Sequence, residues 1–199
     1  MTTPPGRRPG RRPARLRLST LTSLLLMALI VVPSCGFLGW KYWQLEHPGD
    51  FTADPRPCEL LSPQTVHRLT PTSYGGRLES GSCSWAAPRA EGPNRSGIFL
   101  RPSRVTESLA VKNLREERDD LLGWEETTPA VVTGVGDEAF IRFRTPDPAR
   151  PATAQVCFRL SNLVVTLTYT RADSDREAAR AGAVDAAREA AERLRASVR

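Results

Sequence analysis

Between Leu18 and Trp40 the chain carries no charged side chain in 23 consecutive positions, and six arginines stand just before that stretch. A hydrocarbon core of ~30 Å is crossed by about 20 helical residues rising 1.5 Å each. Leu21 and the run Leu24–Val32 are strongly apolar, so the pattern predicts a transmembrane signal anchor over 18–43. Pro33 and Gly36 are tolerated in such a helix. Trp40, Tyr42 and Trp43 fall where an aromatic belt meets the headgroups. Six Arg on the N-terminal side against Lys41 on the other set the orientation. The arm stays in the cytoplasm, and residues 44–199 lie outside, in the cell envelope. Residues 1–17, with Gly-Arg-Arg-Pro repeated at Gly6–Pro9 and Gly10–Pro13, are too polar and Pro-rich to fold and read as a disordered arm.

Three other uses of this segment fit its residues less well. Val32-Pro33-Ser34-Cys35 approximates a bacterial lipoprotein signal, which would acylate Cys35. Pro is unusual in that motif, and the chain stays apolar through Trp43, where a lipoprotein turns polar. Plain cleavage lacks a clear small-x-small site beyond Ser34-Cys35-Gly36. Arg11-Arg12 lacks the apolar followers of a twin-arginine signal. The uncleaved anchor is preferred.

The formal charge of +6 and the pI near 9.7 invite a nucleic-acid reading, and the position of the charge removes it. Six of the 28 basic residues lie in 1–17 and one is Lys41. The rest of the chain, 44–199, holds 21 basic and 22 acidic side chains, a net of −1. No nucleic-acid partner is expected. The arm acts as a topology signal, with the cytoplasmic membrane as its partner.

Outside the membrane, thiols pair. Cys58, Cys83 and Cys157 allow three single pairings. Cys58–Cys83 is favoured because it closes a short Gly/Pro/Ser-rich loop, and Cys157, among strand-forming residues, is read as a buried free thiol. With no C-x-x-C and only His47 and His67, no metal site is expected.

Residues 44–56 read as a polar tether and 57–199 as one domain. Ser62 before Pro63 marks a helix start, with Leu61 and Val66 at the staple positions; the helix stops near Leu69, ahead of Pro71. His67 reads as a surface residue. Tyr74–Ser82 reads as a loop, and Cys83–Ala87 and Gly97–Arg101 as strands. Asn94-Arg95-Ser96 matches a glycosylation acceptor, a weak pattern. Thr106–Leu122 reads as a helix whose acids, Glu116 to Asp120, interleave with Arg115 and Arg118 as a solvated face. Ala130–Thr133 reads as a strand. Gly134-Val135-Gly136-Asp137-Glu138-Ala139 formally matches a dinucleotide fingerprint, yet the alternating Ala139–Arg144 continues as a strand and not as a helix, so a tight turn is read. Gln155–Leu160 and Leu163–Tyr169 form a hairpin around Ser161-Asn162. Asp173–Val198 is an Ala-striped helix with Ser174–Glu177 as a capping box and Glu189–Arg193 and Arg188–Glu192 as ion pairs. The sum is an α+β domain with an antiparallel sheet packed with helices.

Cys58-Glu59-Leu60-Leu61, Cys83-Ser84-Trp85, Gly134–Phe140, the hairpin and the Ala-rich last helix, in this order, resemble a family of small actinobacterial cell-envelope proteins, mostly lipoproteins, of unknown function. The resemblance covers about 57–199. It implies an extracytoplasmic α+β domain similar to the Mog1/PsbP fold with a disulfide joining the first two cysteines. It implies no reaction. The scarcity of Lys, two against 26 Arg, also suits a high-GC genome.

No Ser-His-Asp arrangement, metal spacing or phosphate loop is present, so no enzyme activity and no cofactor are expected. The first functional expectation is a binding module. Alternation places Phe140, Arg142 and Arg144 on one sheet face with Arg159 nearby. If helices cover only the other face, these residues meet an anionic envelope ligand or protein. The second is a structural or assembly role beside an envelope protein.

Overall fold

The computed structural model describes residues 29–42, 48–88, 95–120, 122, 124, 128–144 and 151–198. The chain divides into two compact units, Met1–Glu46 and His47–Arg199. In the first, residues 29–42 are helical (α1), and Cys35 is exposed on that helix. Fourteen residues span about 21 Å at 1.5 Å each, less than a hydrocarbon core. No helix among the described residues is long and apolar enough to cross a membrane. The rest of the expected span, 18–28 and Trp43, lies outside the described residues, as do the arm and Asn94.

The second unit is α+β. After a 3-10 turn, Pro57–Glu59, come α2 (Pro63–Leu69), β1 (Arg77–Glu79), β2 (Ser82–Ala86) and β3 (Gly97–Arg104). Then follow α3 (Glu107–Asp119), β4 (Ala130–Val131), β5 (Glu138–Phe143), β6 (Thr153–Leu160), β7 (Leu163–Thr170) and α4 (Arg176–Ser197). The seven strands form one sheet in the order β1-β2-β3-β7-β6-β5-β4, with every neighbouring pair antiparallel. Both edge strands are very short, which limits the unpaired backbone open to another chain. β3 runs three residues past the expected Arg101. Its Pro102 lies beyond the last β2 partner, where a missing N–H does least harm.

Period-two alternation sorts the sheet into two faces. Val156, Phe158, Leu160, Leu163, Val165, Leu167 and Tyr169 of the hairpin share the larger core with Ala139, Ile141 and Phe143 of β5. That face is covered by α2 and α4. The opposite face is covered in part by α3 through Ala110 and Leu114, which meet Phe140, Cys157 and Val164. Helices therefore lie on both faces, which the sequence reading left open.

Several local expectations are corrected. The stretch Tyr74–Ser82 is not all loop: Ser80 (φ 48°) and Gly81 (φ 77°) form a two-residue hairpin turn that pairs β1 with β2. α3 ends at Asp119 and not at Leu122, with Asp120 already extended. The N-cap of α4 is Asp175, which accepts from the Ala178 N–H at 2.9 Å, in place of Ser174. Arg188 pairs with Asp185 at 3.5 Å and not with Glu192, whereas Glu189–Arg193 forms as expected at 3.0 Å. Gly134 (φ 78°) and Gly136 (φ 60°) make the expected turn, and a β-carbon on Gly136 would lie 2.2 Å from the Arg159 carbonyl.

The expected tether is in part packed into the domain. Phe51 is buried in the main core, and its backbone is held by Asn162 in the β6–β7 turn. Asn162 Oδ1 accepts from the Phe51 N–H at 2.9 Å, and Nδ2 donates to the carbonyls of Phe51 at 2.9 Å and Val105 at 3.1 Å. Ser161 Oγ accepts from the Asp50 N–H at 2.9 Å. A buried amide must find partners, and this strap supplies them. The strap belongs to the second compact unit, His47–Arg199.

The Ala stripe of α4 lets it lie close on the sheet, and Gly182 is the tightest point. A β-carbon there would stand 2.6 Å from Tyr169 Cε1 and 2.9 Å from Leu69 Cδ2. Gly182→Ala removes a helix-interior glycine, worth about 1 kcal/mol in its favour. The overlap costs about 1–3 kcal/mol, because the Tyr169 ring is held by its hydroxyl, which donates to the Leu69 carbonyl at 3.2 Å. The expected net is a melting temperature lower by about 2–4 °C on thermal denaturation. A rise would show that the core gives way at no cost.

Glu189 joins α4 to α2. Its Oε1 accepts from the Ser62 N–H at 2.7 Å and from Arg193 Nε at 3.0 Å. Burial alone would raise this carboxyl, but hydrogen bonding from Thr65 and Ser62 outweighs it and holds the pKa below the ordinary value. A depressed carboxyl adds stability above the unfolded-state pKa, about 4.3, and loses it as pH falls through the folded-state value. Glu189→Gln should therefore flatten the loss of urea midpoint between pH 6 and pH 3. An unchanged pH slope would contradict this linkage.

Candidate functional site

The residues expected to meet a ligand share one face of the sheet, but α3 lies over part of it. The register pairs Phe140 with Cys157, Arg142 with Gln155 and Glu138 with Arg159. Phe140 is buried among Ala110, Leu114 and Val164. Arg142 is only 3% exposed. A helix leaves its last carbonyls without partners, and Arg142 reaches those of α3 from the sheet. Its Nη1 donates to the carbonyls of Glu117 and Asp120, each at 2.7 Å, and its Nε donates to Gln155 Oε1 at 2.7 Å. Its Nη2 pairs with the Glu117 carboxylate. The Trp124 ring lies 4.2 Å from the guanidinium carbon. Five donors in a planar fork suit this task, and four of them are engaged within the protein.

Arg144 is exposed, with its guanidinium carbon 5.7 Å from the Trp124 ring, which it meets across an isolated bridge. Arg159 pairs with Asp137 at 3.0 Å and donates to the Ser161 carbonyl at 3.2 Å. It stands four ladder positions from the Arg142 pair, about 13 Å along the strand. The structure does not bring the three arginines together as an open anionic site. The carboxylates of α3 divide likewise: Glu116 pairs with Lys112 at 3.4 Å on the surface, while Glu117 turns to Arg142. Among the described residues no cluster of His, Cys, Asp or Glu has the arrangement to hold a metal ion.

Cys157 is the buried free thiol the sequence suggested. Burial, aided by the nearby Glu117 charge, pushes it up to about 12 despite Arg142 and a hydrogen bond to Thr166. It is a protonated packing residue at neutral pH and not a nucleophile.

A cleft of about 460 Å³ runs beside α3. Its charged lining is of mixed sign, Arg101 against Glu116, Glu117 and Asp120, and Glu117 is already committed to Arg142. The stronger candidate lies on the other side of the domain's N-terminal half, where the 3-10 turn, α2, the 70–76 loop and β2 enclose a cleft of about 360 Å³. That size falls within the range of small-molecule sites.

The Cys58–Cys83 disulfide, Cα–Cα 5.2 Å, fixes this cleft. Cys83 is fully buried at the start of β2, and Cys58 lines the cavity from the 3-10 turn. Leu61 and Val66 wall one side, fixed by the α2 start: Ser62 Oγ accepts from the Thr65 N–H at 3.2 Å, and Pro63 takes the first helical turn. Gly76 closes the other side. A β-carbon there would lie 2.7 Å from both Cys83 Sγ and Trp85 Nε1, so only glycine lets the loop cross this close.

The polar groups are few. His67 is exposed on α2 and lines the cleft. Trp85 is 3% exposed and also lines it. Its Nε1–H has no internal acceptor among the described residues and is not among their buried unpaired atoms, so it is a donor open to the cleft. Two residues after Cys83, Trp85 was legible only as a strand residue. Its signal was the Gly75-Gly76 pair, which points to a close backbone approach. Compared with protein-family models, characterised proteins and solved structures, the chain finds no match.

Proposed function

We propose that this chain is a membrane-anchored, non-catalytic module that binds a small ligand of the cell envelope outside the cytoplasmic membrane. The observation that carries the reading is the cleft beside the disulfide, largely apolar in its walls, free of Asp, Glu, Lys and Arg, and with the Trp85 indole on its wall. The uncharged stretch 18–40 behind six arginines supports the anchor. The disulfide suits an oxidising compartment. The resemblance to actinobacterial envelope lipoproteins agrees with both, and it keeps acylation of Cys35 as the other form of anchor.

Native mass spectrometry of the full chain extracted from its membranes tests the reading. A small molecule should be released on unfolding, and Ser73→Trp, at the cleft lining, should carry much less of it. Release in equal amount from both forms, or a protein adduct with no small molecule, would replace ligand binding by an assembly role. The intact mass of the same sample reports whether the N-terminal segment is kept, cleaved or acylated.

A further inference from the structure

We infer, building on that reading, that the ligand is a slender aliphatic chain bearing an acyl oxygen, as in a fatty acid or the ester-linked chain of a lipid. The walls decide the body of the ligand. Leu61, Pro63, Val66, Pro71 and the Trp85 ring line the cleft, and no Asp, Glu, Lys or Arg does. A sugar or a nucleotide would bring more hydroxyl or phosphate groups than His67, Thr70, Ser73 and the indole could bond, at a cost for each left over. An aliphatic chain exchanges water for these walls at no such cost.

The indole N–H on the wall decides the head. Indole nitrogen donates and cannot accept, so its partner must offer a lone pair. A carbonyl or carboxylate oxygen does so; an ammonium does not. His67 offers a second donor, one N–H when neutral and two when protonated. The resting protein gives Trp85 Nε1–H no internal acceptor and leaves it open to water, so the acyl oxygen takes the place of water there and breaks no bond within the protein.

The experiment uses the full chain in lipid nanodiscs and three photoactivatable probes with one diazirine-bearing chain. They are decanoic acid, a phosphatidylglycerol and decylamine. Crosslinks are mapped by peptide mass spectrometry. Labelling of residues 58–85 by the acid or by the phospholipid is expected, and which of the two labels identifies the source of the acyl group. Decylamine should label this segment several-fold less. Trp85→Phe keeps an aromatic ring in the core but removes the N–H together with part of the indole. It should cut acid or phospholipid labelling about fivefold, the value of one hydrogen bond. The smaller ring should lower the melting temperature by about 2–6 °C, so the acid-to-amine ratio, and not stability, reads the part played by the N–H. A purely structural Trp85 would move stability and leave the acid-to-amine ratio alone. Equal labelling by acid and amine, unchanged by Trp85→Phe, would overturn the acyl assignment and leave the cleft a binding site of another class. Absence of label from 58–85 with every probe would overturn the acyl assignment, and the native mass spectrum then decides separately whether the cleft binds anything.

Discussion

Arg142→Met should lower the unfolding free energy by about 3 kcal/mol, although methionine is nearly as large and more apolar. The change removes one charge and leaves its partners behind: the Glu117 and Asp120 carbonyls at the end of α3, Gln155 Oε1 and the Glu117 carboxylate. Glu117 keeps 39% of its side-chain surface and can turn to water, which places the cost at the low end of the range for breaking a buried pair. Arg142→Lys keeps the charge but not the fork and should cost about half as much. The damage should concentrate at α3. Cys157 beneath that helix is fully buried, and its thiol, pushed up to about 12, should resist alkylation in the native protein. In Arg142→Met, alkylation under native conditions should speed up at least tenfold, because a sub-global opening that lifts α3 becomes cheaper. Urea unfolding gives the first number and native-state labelling the second. A variant as stable as the parent, with Cys157 still protected, would refute the locking role.

Removing the disulfide is expected to have an effect of similar size. A loop of 25 residues loses about 3.5 kcal/mol of stabilisation in the chain-entropy model when its crosslink is cut. Cys58→Ala with Cys83→Ala should therefore shift the urea midpoint of the intact protein strongly downward, and a reductant should do the same to the parent only once Cys83 is uncovered by unfolding. The double variant should also soften the cleft, since Cys58 and the Gly76 crossing over Cys83 form part of its wall. If the midpoint falls by less than about 1 kcal/mol equivalent, the loop is held by its core contacts alone.

Much of the scaffold was legible because the relevant signals are local. Alternation in 155–160 and 163–169 gave both strands of the hairpin, and the spacing of Ala183, Ala187, Ala190, Ala191 and Leu194 gave the buried face of α4, though Val198, read on the same face, is exposed. Ser62-Pro63 gave the start of α2 to the residue. The sequence could not reveal what depends on meetings between distant segments. Arg142 alternates correctly with Phe140, yet only the position of α3 decides whether that face is open or covered. Asn162 reads as a turn residue, and its partners Phe51 and Val105 lie 111 and 57 positions away. Trp85 reads as a strand residue, and its place on a cleft wall appears only when Gly76 and α2 are set around it. The cleft was missed for the same reason: no single segment contains it.

The clasp between Asn162 and the 48–51 strap has a consequence in time. A chain made or exported from its N-terminus presents the strap first, and the amide that holds it arrives more than a hundred residues later. β3 is in the same position, since its inner neighbour in the sheet is β7. The early half of the domain, including the disulfide loop, therefore waits with unpaired edges until the hairpin emerges. Pairings this distant in sequence close slowly. The order of events is set by topology: the hairpin forms from its own local contacts, β3 docks on it, and the strap closes last over the turn. A pulse-labelling hydrogen-exchange experiment should find the Phe51 amide among the last to gain protection.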